Sequence, residues 1–217
     1  MSDLVTRVET QSNTCALYTS TRQRNDVLVP FLLEGLCRGE KCLVWLTESE
    51  TDDVMARLGC PDTVKDWLVS GQLEVHSPAD PTFFSDAFWI DDMVALWEDV
   101  VSAAVTIGGF DFARIIAEAN WHLPQPRGHG SLIRYEAMLN SISARYPITT
   151  LSLYDVSTPH GGLIFDLVRT HPRILLGDIP LENFHYVVPE QSPIRRAGPR
   201  TRRPSPAVRS TSHPVAV

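Results

Sequence analysis

The 217-residue sequence contains no run of eighteen apolar residues, and its start, MSDLVTRVETQSNT, has neither the apolar core nor the small-residue cleavage site of a secretory leader. On these absences the chain is expected to be cytoplasmic, with no membrane span. Cysteine is scarce. The four residues at 15, 37, 42 and 60 form no CxxC pair; Cys15 and Cys42 fall in strand-like runs and Cys37 near a helix end, so buried reduced thiols are expected rather than disulfides or a zinc site. No GxxxxGKS/T motif occurs, and the turn Thr19–Asp26, which stands where a phosphate-binding loop would stand, has no glycine and no lysine. A Walker-type grip on phosphate is therefore not expected. Acidic residues are missing from the last stretch: residues 191–217 hold six arginines and no acid, for +6, whereas residues 1–190 hold 13 basic and 26 acidic residues, for −13. An acidic body excludes a broad nucleic-acid surface on the folded part and leaves the basic tail as the one segment suited to phosphate contact. No internal repeat and no second apolar domain are present.

Hydrophobic residues make up 43% of the chain, enough for one well-buried domain. Their pattern alternates between strand and helix. Cys15–Tyr18 reads as a strand; after a polar turn the positions Val27, Leu28, Phe31, Leu32, Gly35 and Leu36 read as a helix, capped by Asn25 or an earlier Ser/Thr, kinked at Pro30 and ended at Gly39. Lys41–Leu46 is a second strand, followed by a short helix that stops at Gly59, a third segment capped by Asp62 that closes at Gly71, and the strand Leu73–His76. Met93 to Ala104 form an amphipathic helix running to Gly108 and Gly109. A helix through Leu132, Met138 and Ile142, the strand Thr149–Asp155, a helix Gly162–Thr170 and a last strand Arg173–Gly177, expected at a sheet edge, complete the order. This alternation predicts a parallel sheet with crossover helices. The expected boundaries are an N-terminal extension over 1–12, one domain over 13–188 and a disordered Pro/Arg/Ser-rich tail over 189–217.

Phe110–Trp121 reads as a central strand, almost wholly apolar, yet it carries Arg114 inside and Glu118 at its carboxyl end. In open α/β sheets ligands bind beyond the carboxyl ends of the strands, so Glu118 and Trp121 become candidate site residues; the alternative is a plain ion pair between Arg114, Glu118 and their neighbours. Glu118 and His122 have the spacing of helical metal ligands, but Pro124 and Pro126 argue against a helix there, and no metal is expected. Residues 77–90, SPADPTFFSDAFWI, are either an aromatic lid or a packed loop. Arg22 and Arg24, beside a helix N-terminus, are candidates for anion binding or else solvated surface arginines.

The order and spacing of several pieces over residues 13–177 resemble the MEDS domain family (methanogen/methylotroph DcmR-type sensory domain). These pieces are Cys15–Tyr18; Leu28–Leu36 with Gly39-Glu40; Ser70–Leu73; Glu118 and Trp121; Tyr135-Glu136-Ala137 with Asn140; Leu153-Tyr154-Asp155; and Leu167–Pro172. The resemblance implies a RecA- or KaiC-like α/β fold, a three-layer sandwich with a mostly parallel central sheet that lacks a functional phosphate-binding loop. It also implies a sensory role in bacterial and archaeal regulators. Arg22 and Arg24 depart from the acidic turn pictured for relatives.

The function expected from these readings is a non-catalytic sensory domain. It would bind a small molecule through Tyr18, Thr19, Glu48, Glu118, Trp121 and Asp155, with Tyr135 and Glu136 close by. It would then regulate a protein partner, such as a kinase, sigma-factor regulator or transcription factor, or transcription itself, with a homodimer as one option and without a cofactor. The alternative is a nucleotide-binding protein or residual NTPase with Glu118 as general base. It lacks a phosphate cradle and a magnesium ligand. An enzyme using Glu118 and Asp155 as an acid/base pair would lack a nucleophile and an oxyanion site.

Overall fold

A computed structural model describes residues 12–46, 48–76, 90–118, 129–157 and 161–187. The expected N-terminal extension, the aromatic segment 77–89, the loop holding Trp121 and His122, and the basic tail lie outside the described residues, apart from Ser12.

Strands β1 (Asn13–Tyr18), β2 (Lys41–Trp45), β3 (Leu73–His76), β4 (Ala113–Glu118), β5 (Ile148–Asp155), β6 (Arg173–Leu176) and β7 (Ile179–Glu182) form one sheet in the order β3-β2-β4-β5-β1-β6-β7. All neighbours are parallel except β6 and β7, which are antiparallel. Helices α1 (Thr21–Cys37), α2 (Glu48–Arg57) and α3 (Pro61–Val69) supply the apolar residues of one layer, and α4 (Ile90–Ser102), α5 (His129–Arg145) and α6 (Gly161–Thr170) those of the other. Side chains alternate across the pleat as the period of two demands. Ala16, Tyr18, Cys42, Val44, Ile116 and Leu153 meet α1–α3, while Cys15, Leu17, Leu43, Ile115, Ala117 and Tyr154 meet the layer containing Trp97, Leu139, Ile142 and Leu167.

Several boundaries differ from those the sequence predicts. Helix α1 begins at Thr21, with the cap at the earlier Ser20 rather than at Asn25: the Ser20 hydroxyl accepts from the Gln23 N–H at 3.3 Å, and the helix continues through Pro30. The third helix is capped from Cys60, with Pro61 in its first turn, so Asp62 lies inside it. After Ser102 the fourth helix widens into a π-turn over Ala103–Ile107. The strand expected at the edge, β6, pairs on both sides. The edge is β7, reached through a tight turn in which Gly177 adopts φ +57°, and Pro180 on this outer strand removes one donor from the exposed rim. Cys15 and Cys42 are buried as expected, but Cys37 and Cys60 are exposed, and all four are free thiols.

Arg114 is the buried charge that the layer of α1 must accommodate. Its guanidinium donates to Glu40 at 2.5 Å, to Glu34 at 3.0 Å and to the Phe31 carbonyl at 2.9 Å, and it lies 4.6 Å above the Phe31 ring. Gly35 makes room for it: a methyl at this position would come within 2.6 Å of the Arg114 side chain and 3.0 Å of the Cys42 sulfur. Gly35→Ala is therefore expected to cost about 1–3 kcal/mol despite its better helix propensity, read as a lower urea midpoint.

Candidate functional site

The carboxyl ends of β1, β4 and β5 lie side by side, with Tyr18 opposite Asp155 and Glu118 opposite Leu153 in the strand register. Glu118 points to the α1–α2 face, as Arg114 does, but the two do not pair. Four residues along an extended strand separate them by roughly 13 Å, and Arg114 is held at the other end of β4 by Glu34 and Glu40.

Glu118 instead meets groups from three other elements. The Tyr18 hydroxyl donates to it, Arg24 of α1 lies 3.8 Å away, and Glu50 of α2 shares a hydrogen bond with it. Arg24 also forms an ion pair with Glu50 and donates to the Asn25 side-chain oxygen at 3.1–3.2 Å. Asn25 in turn donates to Asp53 at 2.6 Å, and Asp53 pairs with Arg57 at 3.0 Å. The cluster thus ties β1, β4, α1 and α2 together. Glu118 is only 6% exposed. Burial, and then the hydrogen bond and charge of Glu50, push its carboxyl up to about 7 against the opposing pull of Tyr18 and Arg24. Two carboxyls in hydrogen-bond contact hold one proton between them, so at neutral pH the cluster can give up or take a proton.

The remaining candidates separate. Thr19 is exposed; its N–H and hydroxyl both donate to the Gln23 side chain, at 2.8 and 2.9 Å. It lines a cleft of about 360 Å³ with Leu17, Gln23, Asp26, Leu176, Gly177, Asp178 and Ile179. Asp155 is exposed at the end of β5, where it accepts from the Ser157 N–H at 2.8 Å. Glu48 opens α2 and Tyr135 lies on α5, but their side chains, like all of Trp121, fall outside the described residues. Arg22 is a solvated arginine 3.8 Å from Asp26. Arg24, the other candidate for anion binding, is 1% exposed and faces two carboxyls, Glu50 and Glu118.

Glu136 needs a larger correction. It lies on the opposite face of the sheet, with no exposed surface, and does not join Tyr18 and Glu118. Tyr154 donates to its carboxylate, Ser152 lies within 3.4 Å, and His171 Nε2 within 3.0 Å; His171 Nδ1 is 2.9 Å from the Leu167 carbonyl. Burial alone would raise the Glu136 carboxyl, but the His171 charge and the hydrogen bonds from His171, Tyr154 and Asn13 outweigh it and hold the group below its ordinary value. This is an internal clamp between α5, β5 and the end of α6.

Sequence reasoning missed Glu50 as a site residue and left Arg24 on the surface. A signal was present for Arg24, since positions 24, 28, 31, 32 and 35 form one helical stripe and all are buried. Glu50 had only its place in the first turn after β2.

The sequence profile of the MEDS family (methanogen/methylotroph, DcmR sensory domain) matches residues 14–172. No curated protein matches the chain. Among solved structures, a KaiC-like protein from the hyperthermophilic archaeon Pyrococcus horikoshii superposes with a TM-score of 0.52 at 11% identity, covering 76% of this chain and 70% of that one. That likeness establishes the RecA/KaiC-like α/β fold. No helix among the described residues is long and apolar enough to cross a membrane.

Proposed function

Because the chain belongs to the MEDS family of sensory domains, we propose that it is a non-catalytic signalling domain. It recognises a small molecule at the carboxyl ends of β1, β4 and β5 and passes the change to a regulatory protein or to the transcription machinery. The observation that carries this reading is Glu118: a carboxyl at the ligand-binding edge of an α/β sheet, held by Tyr18, Arg24 and Glu50 rather than spent on Arg114. Thr19 and the cleft beside it extend the same edge toward β6. Recognition would break the existing contacts of Glu118 or Glu50 in favour of the ligand, and α2 is the element positioned to respond.

A screen of short polar hydrocarbon derivatives by thermal shift tests this. At least one compound is expected to raise the melting temperature of the wild type, and the rise should vanish in Glu118→Gln and Tyr18→Phe. A screen without hits at millimolar concentration, or hits that survive both substitutions, would count against the site.

The KaiC-like fold favours nucleotide binding as a second reading. Against it stand the turn Thr19–Ser20, which leads directly into α1 without glycine or lysine, and an Arg24 neutralised by two carboxyls. Purified protein is expected to show no ATP or GTP hydrolysis above background in a phosphate-release assay. Turnover that disappears in Glu118→Gln would overturn the non-catalytic reading.

A further inference from the structure

We propose that Glu50 and Glu118 form a proton-dependent latch that fixes α2 against the carboxyl edge of the sheet and releases it when their shared proton is lost. The inference goes beyond ligand recognition, because it assigns the domain a response to protons that needs no bound molecule.

The geometry supplies the parts. The apolar side chains Val54, Met55 and Leu58 pack α2 against the sheet layer, and polar links add Asp53 to Asn25 and Glu50 to the Arg24–Glu118 pair. The first polar link joins helix to helix. The second reaches a strand end. Among the described residues, the groups facing Glu118 are Tyr18 from β1, Arg24 from α1 and Glu50 from α2. Leu46, just past β2, and Leu153 of β5 bring no charge to that face, and Asp53 is already tied to Asn25 and Arg57.

With one proton present, the neutral carboxyl donates to the charged one and Arg24 balances the single negative charge. Without it, two carboxylates share one guanidinium, the donated hydrogen bond is gone, and like charges repel in a mostly buried site. Glu50 is the member that can yield: its side chain is 25% exposed, against 7% for Glu118, and it rides on a short helix whereas Glu118 is fixed in a central strand. The outward step therefore moves α2. The raised affinity of Glu118 for its proton places the transition near neutrality, where small changes of pH alter occupancy.

Amide hydrogen exchange of the full chain between pH 6 and 8, corrected for intrinsic chemical exchange, tests the latch. Protection of the α2 amides is expected to fall about tenfold or more over this range in the wild type, while β5 protection stays constant and reports that the fold is intact. In Glu50→Gln and in Glu118→Gln the α2 profile should be flat, because an amide keeps the hydrogen bond and cannot lose a proton. A flat profile in the wild type, or a step that survives in either variant, would overturn the proposal.

Discussion

Replacing His171 by Ala is expected to destabilise the domain by about 3–5 kcal/mol, the largest effect of any single change considered for this chain. The side chain is fully buried and faces a fully buried carboxylate, Glu136. Removing it leaves that carboxylate with Tyr154, Ser152 and Asn13 as side-chain donors and opens a cavity beside α6. Either the charge stays and is poorly compensated, or the carboxyl takes up a proton at a free-energy cost; both weaken the folded state. Because the folded Glu136 carboxyl is held low, its contribution is present above the unfolded pKa near 4.5 and is lost as the pH falls through the lowered value. The variant should therefore lose more relative to wild type at pH 7 than in acid. Replacing both partners with apolar residues of similar volume is expected to cost less than the single change. A urea midpoint for His171→Ala within error of the wild type would refute the clamp.

Arg114→Met is expected to cost about 3 kcal/mol, also read from a urea melt. The substitution fills much of the volume of the aliphatic stem but removes every donor. Glu34 and Glu40 are left facing one another across an apolar gap, and the Phe31 carbonyl loses its extra partner. Arg38, 2.7 Å from Glu34 and half exposed, offsets part of this loss, which places Arg114 below His171 in expected effect. If the melt showed no change, the guanidinium would be a tolerated passenger and the close approach at Gly35 would have no energetic purpose.

The pieces of sequence that carry the family resemblance divide cleanly once they are placed in space. Leu28–Leu36 with Gly39-Glu40 builds the pocket for Arg114, and Tyr135–Ala137, Leu153–Asp155 and Leu167–Pro172 contribute Glu136, Tyr154 and His171 to the second clamp. Much of what looked like recognition chemistry in the motifs is thus the means of holding helices onto two faces of the sheet. The alternating layers were legible because strand and helix periods are local properties, and Arg114 and Glu118 stood out as charges in an apolar run. The partners of those charges were not legible. Arg114 finds Glu40 across 74 positions and His171 finds Glu136 across 35, separations that no local pattern encodes. Helix α1 shows the limit of beginning a stripe at its first apolar residue. Counting back one turn from Leu28 reaches Arg24, a charge on the buried side, and with it half of the cluster around Glu118. The final hairpin was missed for a different reason: Gly177-Asp178 is a two-residue turn signal, but the strand after it is short, exposed and interrupted by Pro180, and so lacks an apolar alternation to notice.

The central claim, that Glu118 is a responsive carboxyl at the working edge of the sheet rather than one half of a structural ion pair, is tested most directly by chemical denaturation of Glu118→Gln at pH 5 and pH 8. A carboxyl raised from 4.5 to about 7 on folding holds its proton more tightly in the folded chain; the stability this contributes is complete below pH 4.5 and has been lost once the pH has risen through 7. At pH 5 the wild-type group is mostly protonated, and an amide of the same shape should give nearly the same midpoint. At pH 8 the wild type carries the extra charge and the variant does not, so Glu118→Gln should be the more stable of the two by about 2–3 kcal/mol. A variant less stable than wild type by a similar amount at both pH values would contradict the account, because it would mean that Arg24 depends on a permanent negative charge at position 118.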